Sequence, residues 1–239
     1  MQQVTDLRNA LAELGLSADE EQALKFEKYM TGILEWNEKV NLTRITERDE
    51  FIVKHFLDSL VCIRNEEYRS AKKIIDIGTC AGFPGVPLAI ASPEKEFVLM
   101  DSLNKRLKII DELCAESGIR NVSTVHARAE ELARNKQHRE KYDLCVSRAV
   151  ANMAVLAEYC LPFIKVGGCL MAYKGPEAYD EAEKAAKAIR LLGGEISEIR
   201  DAELEKYDIS HKIIVIKKIK NTVSKYPRKA GIPSKEPLL

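Results

Sequence analysis

From Lys72 onward the chain alternates short apolar runs with helical segments at a pitch that leaves few folds open. Lys73-Ile74-Ile75-Asp76-Ile77 is a brief apolar run stopped by Gly78, the form of a buried strand. Pro84 follows where a helix can begin, with Val86, Leu88, Ala89 and Ile90 behind it. Runs at 96–100, 121–125, 142–146 and 169–173 read as further strands, and helices are expected near 104–117, 128–135, 151–161 and 177–192. This grammar predicts an α/β fold: a doubly wound, Rossmann-like, mostly parallel sheet. Two later strands, near 195–200 and 211–218, have no helix between them, so they are predicted to pair as an antiparallel hairpin at a sheet edge. The first seventy residues carry helical spacing only. Leu7, Leu11 and Leu14 mark one face that Gly15 ends, and Ser17-Ala18-Asp19-Glu20 has the capping-box pattern for a helix reaching about Trp36. Three units are expected: an N-terminal helical subdomain over 1–70, a cofactor-binding domain over 71–220, and a basic tail over 221–239. Its prolines, 227, 233 and 237, make that tail extended or mobile.

Doubly wound sheets bind ligands beyond the carboxyl ends of their strands. That makes Asp76 to Gly85 the candidate site. A nucleoside-triphosphate loop needs a Lys after its second glycine, and none follows Gly82 or Gly85. A nicotinamide dinucleotide loop needs a middle glycine so that the backbone can approach a pyrophosphate, and that position is Cys80. S-adenosyl-L-methionine has no pyrophosphate and does not demand that approach. Asp76 is expected to favour its cationic end, and the helix start at Pro84 its carboxylate. Asp101, ending the second strand, suits two ribose hydroxyls, and Glu130 suits an adenine amino group beside a backbone N–H. Each acid also has an ordinary reading, Asp101 as a turn residue and Glu130 as a first-turn helix acid. Their order along one strand edge favours the nucleoside cofactor.

Composition narrows the setting. Formal net charge is zero, yet eight of the 37 basic residues fall within 212–235, where there is no acid, leaving 29 against 37 acids elsewhere. Such segregation points to a polyanionic partner met by the tail. No apolar run is long enough for a bilayer and no secretory signal precedes the first helix, so cytoplasmic residence without a membrane partner is expected. The six cysteines lack metal or disulfide spacing, so no metal is expected.

Several segments together resemble the bacterial 16S rRNA guanine-N7 methyltransferase family, long called glucose-inhibited division protein B. They are Trp36 to Thr43, His55 to Ser59, the Gly78–Gly85 loop, Asp101-Ser102, Arg128-Ala129-Glu130, Ser147 to Ala151, Lys174-Gly175 and Lys225 to Pro233. The resemblance implies an S-adenosyl-L-methionine site at Gly78, Phe83, Asp101, Ala129, Glu130 and Arg148. It also implies methyl transfer to N7 of one guanosine near the decoding region of 16S rRNA in the small ribosomal subunit, not to DNA. One departure is Cys80, where the family usually carries a third glycine; a modest change in loop packing is expected.

Guanine N7 presents an exposed lone pair, so no general base is required. Arg148 and Lys174 are the candidate catalytic residues. Arg148 suits a guanine edge or the cofactor carboxylate, against a plain surface salt bridge; Lys174 suits a phosphate, against a solvated lysine. His55 and Asp58 have the look of a dyad, though packing between the N-terminal helices and the sheet is the stronger reading. Trp36 reads as core, with base stacking the alternative. Lys225, Arg228 and Lys229 are expected to bind RNA phosphates, with Tyr226 stacking on a base. Two other functions remain open: a methyltransferase for a small molecule or protein, which leaves the tail unexplained, and a non-enzymatic RNA-binding assembly factor.

Overall fold

Seven strands build one sheet: β1 (Lys73–Ile77), β2 (Glu96–Asp101), β3 (Val122–His126), β4 (Tyr142–Arg148), β5 (Ile164–Lys174), β6 (Gly194–Asp201) and β7 (Lys212–Lys218). Their spatial order is β3-β2-β1-β4-β5-β7-β6. The structure, a computed structural model, describes residues 2–202, 204, 207 and 209–238. The first five strands pair in parallel, and β7 lies antiparallel between β5 and β6. The expected hairpin therefore forms, with the earlier of its two strands outermost.

Alternation along the strands sends side chains to two cores. Ile74, Leu144, Val146 and Met171 pack with Phe26, Ile33, Phe56 and Ile110 on one face. Ile75, Ile77, Cys145 and Leu170 pack with Met153, Ala157, Ala185 and Ile189 on the other. Both faces are thus covered, which is what a parallel sheet requires. The strand order turns back on itself between β1 and β4, and there the carboxyl ends open a crevice.

The helix Gln2–Glu13 buries Leu7 and Leu11, with Gly15 following at φ +72°. The next helix, Glu20–Asn37, is capped by Asp19 rather than Ser17: Asp19 accepts the Gln22 N–H and the Gln22 side chain returns to the Asp19 N–H. The box is real but starts two residues later than the Ser-x-x-Glu pattern suggests. After Arg48–Phe51 the chain widens into a π-helical stretch, Ile52–Leu57, where periodicity predicts a plain α-helix. Such wide turns recur where side chains must meet a specific partner, and here His55 and Asp58 both reach Arg148.

The chain end departs from the extended tail expected of its prolines. Tyr226 is buried in the second core, and a one-turn helix spans Ile232–Lys235. Arg139 donates to the carbonyls of Thr222 (2.6 Å) and Tyr226 (3.0 Å), and the Thr222 hydroxyl donates to the Leu192 carbonyl (2.7 Å). Side chains from the domain thereby supply the partners that a non-helical backbone lacks.

Candidate functional site

The loop after β1 is held from beneath. Asp76 is fully buried; its Oδ2 accepts the Thr79 hydroxyl (2.7 Å) and the Gly85 N–H (2.9 Å). Burial pushes its carboxyl up to about 7. A Cβ on Gly85 would come within 2.8 Å of that oxygen and 2.9 Å of Leu99, so only glycine lets the helix start close over the acid. This corrects two expectations. Asp76 organises the loop instead of facing the crevice, and it already occupies the Gly85 N–H at the helix start, next to Pro84, where a ligand carboxylate was expected.

Above the loop lies a crevice of about 550 Å³. Gly78, Phe83, Asp101, Ala129, Glu130 and Arg148, drawn from separate points of the chain, all line it. A hollow of about 670 Å³ near Leu24 and Arg120 sits by the turns that lead into β2 and β3. It lies at the amino ends of the strands, away from these acids. In the crevice Asp101 accepts the Cys80 N–H on Oδ2 and the Leu103 N–H on Oδ1, both at 2.9 Å. Each oxygen keeps a second lone pair. Glu130 is 4% exposed, and its Oε1 accepts the Gly231 N–H at 2.8 Å.

Arg148 ends β4 and closes the crevice against the N-terminal helices. Its Nη1 donates to Asp58 Oδ2 (2.7 Å) and the Lys54 carbonyl (2.9 Å), and its Nη2 lies 3.2 Å from His55 Nδ1. An arginine has only donors, so His55 Nδ1 accepts; the proton then sits on Nε2, which donates to Thr43 Oγ1 (2.8 Å). Burial and the Arg148 charge pull the His55 pKa down to about 3, so the ring is neutral at pH 7. It stacks on Phe83 at 4.4 Å, with the Arg148 guanidinium 5.5 Å from the Phe83 centroid. Asp58 also accepts from His211 Nδ1 at 2.8 Å. Burial opposes its ionisation, but the His211 hydrogen bond and Arg148 together hold its pKa below the ordinary value. The hydrogen bond to Asp58 in turn raises His211. Asp58 and His55 thus join two layers of the molecule, and neither acts as a free base.

Lys174 lies outside the crevice lining. Its Nζ donates to the Ala151 carbonyl (2.6 Å) and Glu181 Oε2 (2.7 Å), and the same carboxylate oxygen accepts the Met153 N–H (2.9 Å). It fixes the loop after β4, a role that neither the phosphate nor the solvated reading anticipates. Trp36 is half-buried against the first core, with Lys39 over its ring. Tyr226 is buried and unavailable for base stacking; Lys225 and Lys229 are exposed, whereas Arg228 is tied to Glu158. His211 had no sequence signature, because 153 positions separate it from Asp58.

The crevice fits S-adenosylmethionine on its own terms. Its volume suits a nucleoside with a short chain, Asp101 has lone pairs to spare for hydroxyls, and Gly78, at φ +74°, leaves the floor free of a side chain that would strike Val150 at 2.5 Å. Antiparallel β7 within an otherwise parallel sheet, over a loop without the dinucleotide glycine, is a Rossmann-like arrangement, and the family the chain matches makes it an S-adenosylmethionine-dependent methyltransferase. Solved structures share the fold: NSun6 from Pyrococcus horikoshii with SFG (TM-score 0.57, 18% identity, 75% of this chain and 57% of that one) and a putative O-methyltransferase from Klebsiella pneumoniae (TM-score 0.55, 13% identity, 92% and 99%). The family model described as GidB, rRNA small subunit methyltransferase G, matches residues 22–210, and the chain belongs to that family. Relatives named Ribosomal RNA small subunit methyltransferase G include those of Alkaliphilus oremlandii, 51% identical over 232 residues, and Clostridium tetani, 47% identical over 232 residues; each alignment spans 97% of both chains.

Proposed function

We propose that this enzyme transfers the methyl group of S-adenosylmethionine to N7 of a guanosine in 16S rRNA, near the decoding region of the small ribosomal subunit. The observation that supports it best is the convergence on one crevice of Asp101, Glu130 and Arg148 in a chain of this family. The cofactor supplies a methyl group already activated on a sulfonium. Asp101 holds the ribose hydroxyls with the lone pairs its backbone partners leave free. Glu130 and the Ala129 backbone face the adenine. Phe83, braced by His55, walls the crevice and excludes water beside Arg148.

Because N7 attacks with an existing lone pair, the residues here orient rather than deprotonate. The geometry needed is an in-line approach at about 3 Å. Arg148, with three of its five donors spent on Asp58, Lys54 and His55, keeps an edge toward the crevice for the acceptor base. In this reading residues 1–70 form a helical subdomain beside the crevice, 71–220 the methyltransferase domain, and 221–239 a basic segment whose exposed Lys225 and Lys229 meet phosphate. Arg228 contributes by holding that segment in place. No helix among the described residues is long and apolar enough to cross a membrane, and none of their acidic, His and Cys groups forms a metal cluster. The proposed location is the cytoplasm, where the subunits are.

The test incubates the protein with labelled S-adenosylmethionine and small subunits from a strain lacking its gene. Label is expected as 7-methylguanosine in 16S rRNA. Label in protein or in a small molecule, or none, sinks the reading. Asp101→Ala is expected to weaken cofactor binding by about 1–3 kcal/mol, the worth of charge-assisted hydrogen bonds, and an unchanged Kd removes Asp101 from the site.

A further inference from the structure

The chain's end reaches the crevice lining at two points. Arg228 gives three donors to Glu158: its backbone N–H (2.7 Å) and Nε (3.0 Å) go to Oε1, and Nη2 (2.6 Å) goes to Oε2. Glu158 is wholly buried and precedes Tyr159, which lines the crevice. Three residues after Arg228, the Gly231 N–H meets Glu130 Oε1. The Ser234 hydroxyl donates to the Gly231 carbonyl (3.0 Å). Arg228, Gly231 and Ser234 do not line the crevice, but Glu130, which Gly231 holds, and Tyr159, the neighbour of Glu158, do.

We propose that residues 228–235 form a positioning strap for the cofactor: Gly231, anchored through Arg228 and Glu158, fixes the Glu130 carboxylate in the orientation that receives the bound nucleoside. The inference rests on the cofactor reading of the crevice. A glutamate has several rotamers, and ordering it at the moment of binding costs affinity. The Gly231 N–H removes that cost in advance by claiming Oε1, which leaves Oε2 to face the ligand. Arg228 makes the arrangement durable, since pulling the strap away would leave the Glu158 charge sealed without its cation. Coupling of this kind is reciprocal: whatever factor the strap adds to cofactor affinity, the cofactor adds to strap closure.

Two measurements on the full chain test this. Amide exchange over 230–235 is followed with and without saturating S-adenosylmethionine, using the distant helix 178–191 as reference. Calorimetry then compares the wild type with Gly231→Ala. Gly231 sits at φ +84° with nothing near its missing Cβ, so alanine shifts the N–H through backbone strain rather than a clash. Cofactor is expected to slow exchange in the strap by about threefold to tenfold relative to the reference, and Gly231→Ala to raise Kd by a similar factor, the worth of one immobilised side chain. Normal wild-type binding with unchanged strap exchange, or an unchanged Kd in Gly231→Ala, overturns the strap alone. Failure of the wild type to bind cofactor overturns the site reading and the strap with it.

Discussion

Asp58 and Glu158 are both carboxylates sealed inside the molecule, and each is met by an arginine about seventy or more positions away, yet the two seams are built differently. Asp58, 1% exposed, receives Arg148 on one oxygen and His211 on the other, with His55 beside them. Glu158, 0% exposed, has Arg228 as its one cation among the described residues. A buried charge is tolerated only while its partners stay. The seam beside the crevice therefore has a reserve partner, and the seam at the chain's end has none.

The sharpest test of that contrast is Arg228→Ala. Removing the one cation that Glu158 has among the described residues is expected to cost about 3–5 kcal/mol of stability in urea denaturation. Replacing both members with leucine should return most of the loss, because neither charge is then left buried. A loss below about 1 kcal/mol would mean that water or another group reaches Glu158, and the contrast between the seams would disappear.

Arg148→Ala comes next. His211 still holds Asp58, so the expected loss is about 2 kcal/mol, the range for hydrogen bonds to a charged group. Methyl transfer should fall at least tenfold, since Arg148 also borders the crevice. A stability loss equal to that of Arg228→Ala would show that His211 is no reserve. Normal turnover would return Arg148 to a purely structural place.

Much of this was legible in the residues, and what was not has a physical cause. The strands and their order of appearance follow from short apolar runs punctuated by glycine, since burial on both faces of a parallel sheet leaves that trace. The places of Asp101, at the end of β2, and of Glu130, in the first turn of the helix after β3, were legible because a strand end and the turn that follows it fix where such side chains stand. Asp76 was misjudged: an acid at a strand end reads alike whether it faces the ligand or supports the loop, and only the Thr79 and Gly85 contacts decide. The docked tail was hidden because its partners, Arg134, Arg139, Glu130 and Glu158, lie some 70 to 100 positions upstream. Its positive charge suggested a free RNA-binding arm, although one of those cations neutralises a buried acid.

The two histidines of the crevice-side seam should respond oppositely to pH. His55 has a lowered pKa in the folded chain. Its unfolded form takes up a proton that the folded form refuses, so its contribution is full above about 6.5 and fades as pH falls from there toward about 3. Asp58, also lowered, adds a loss in the same direction at lower pH. His211 is raised. Its contribution is full below the unfolded value and fades as pH rises through the folded one. Melting temperature measured from pH 5 to 8 should thus lose acid sensitivity in His55→Gln and lose part of its alkaline decline in His211→Gln. Parallel changes in both variants would mean that the histidines do not sit on opposite sides of the same ion pair.

The smallest expected effect lies on the other side of the crevice, at Cys80. This residue occupies φ +56°, a left-handed conformation that costs an L-residue about 1–2 kcal/mol. Its N–H is held there by Asp101. Glycine removes that cost but gives the unfolded chain more freedom, worth roughly 0.5–1 kcal/mol in the opposite sense. Cys80→Gly should therefore stabilise the protein by only about 0.5 kcal/mol and leave cofactor affinity unchanged, because the Cys80 contact to Asp101 is through the backbone. Cys80→Val should do the reverse, since a β-branched side chain in that region is a true outlier, and its displaced N–H should weaken cofactor binding through Asp101. If valine is tolerated with an unaltered Kd, the loop is softer than the seams, and the rigidity of this site resides in Asp58 and Arg148 rather than in the glycine bend.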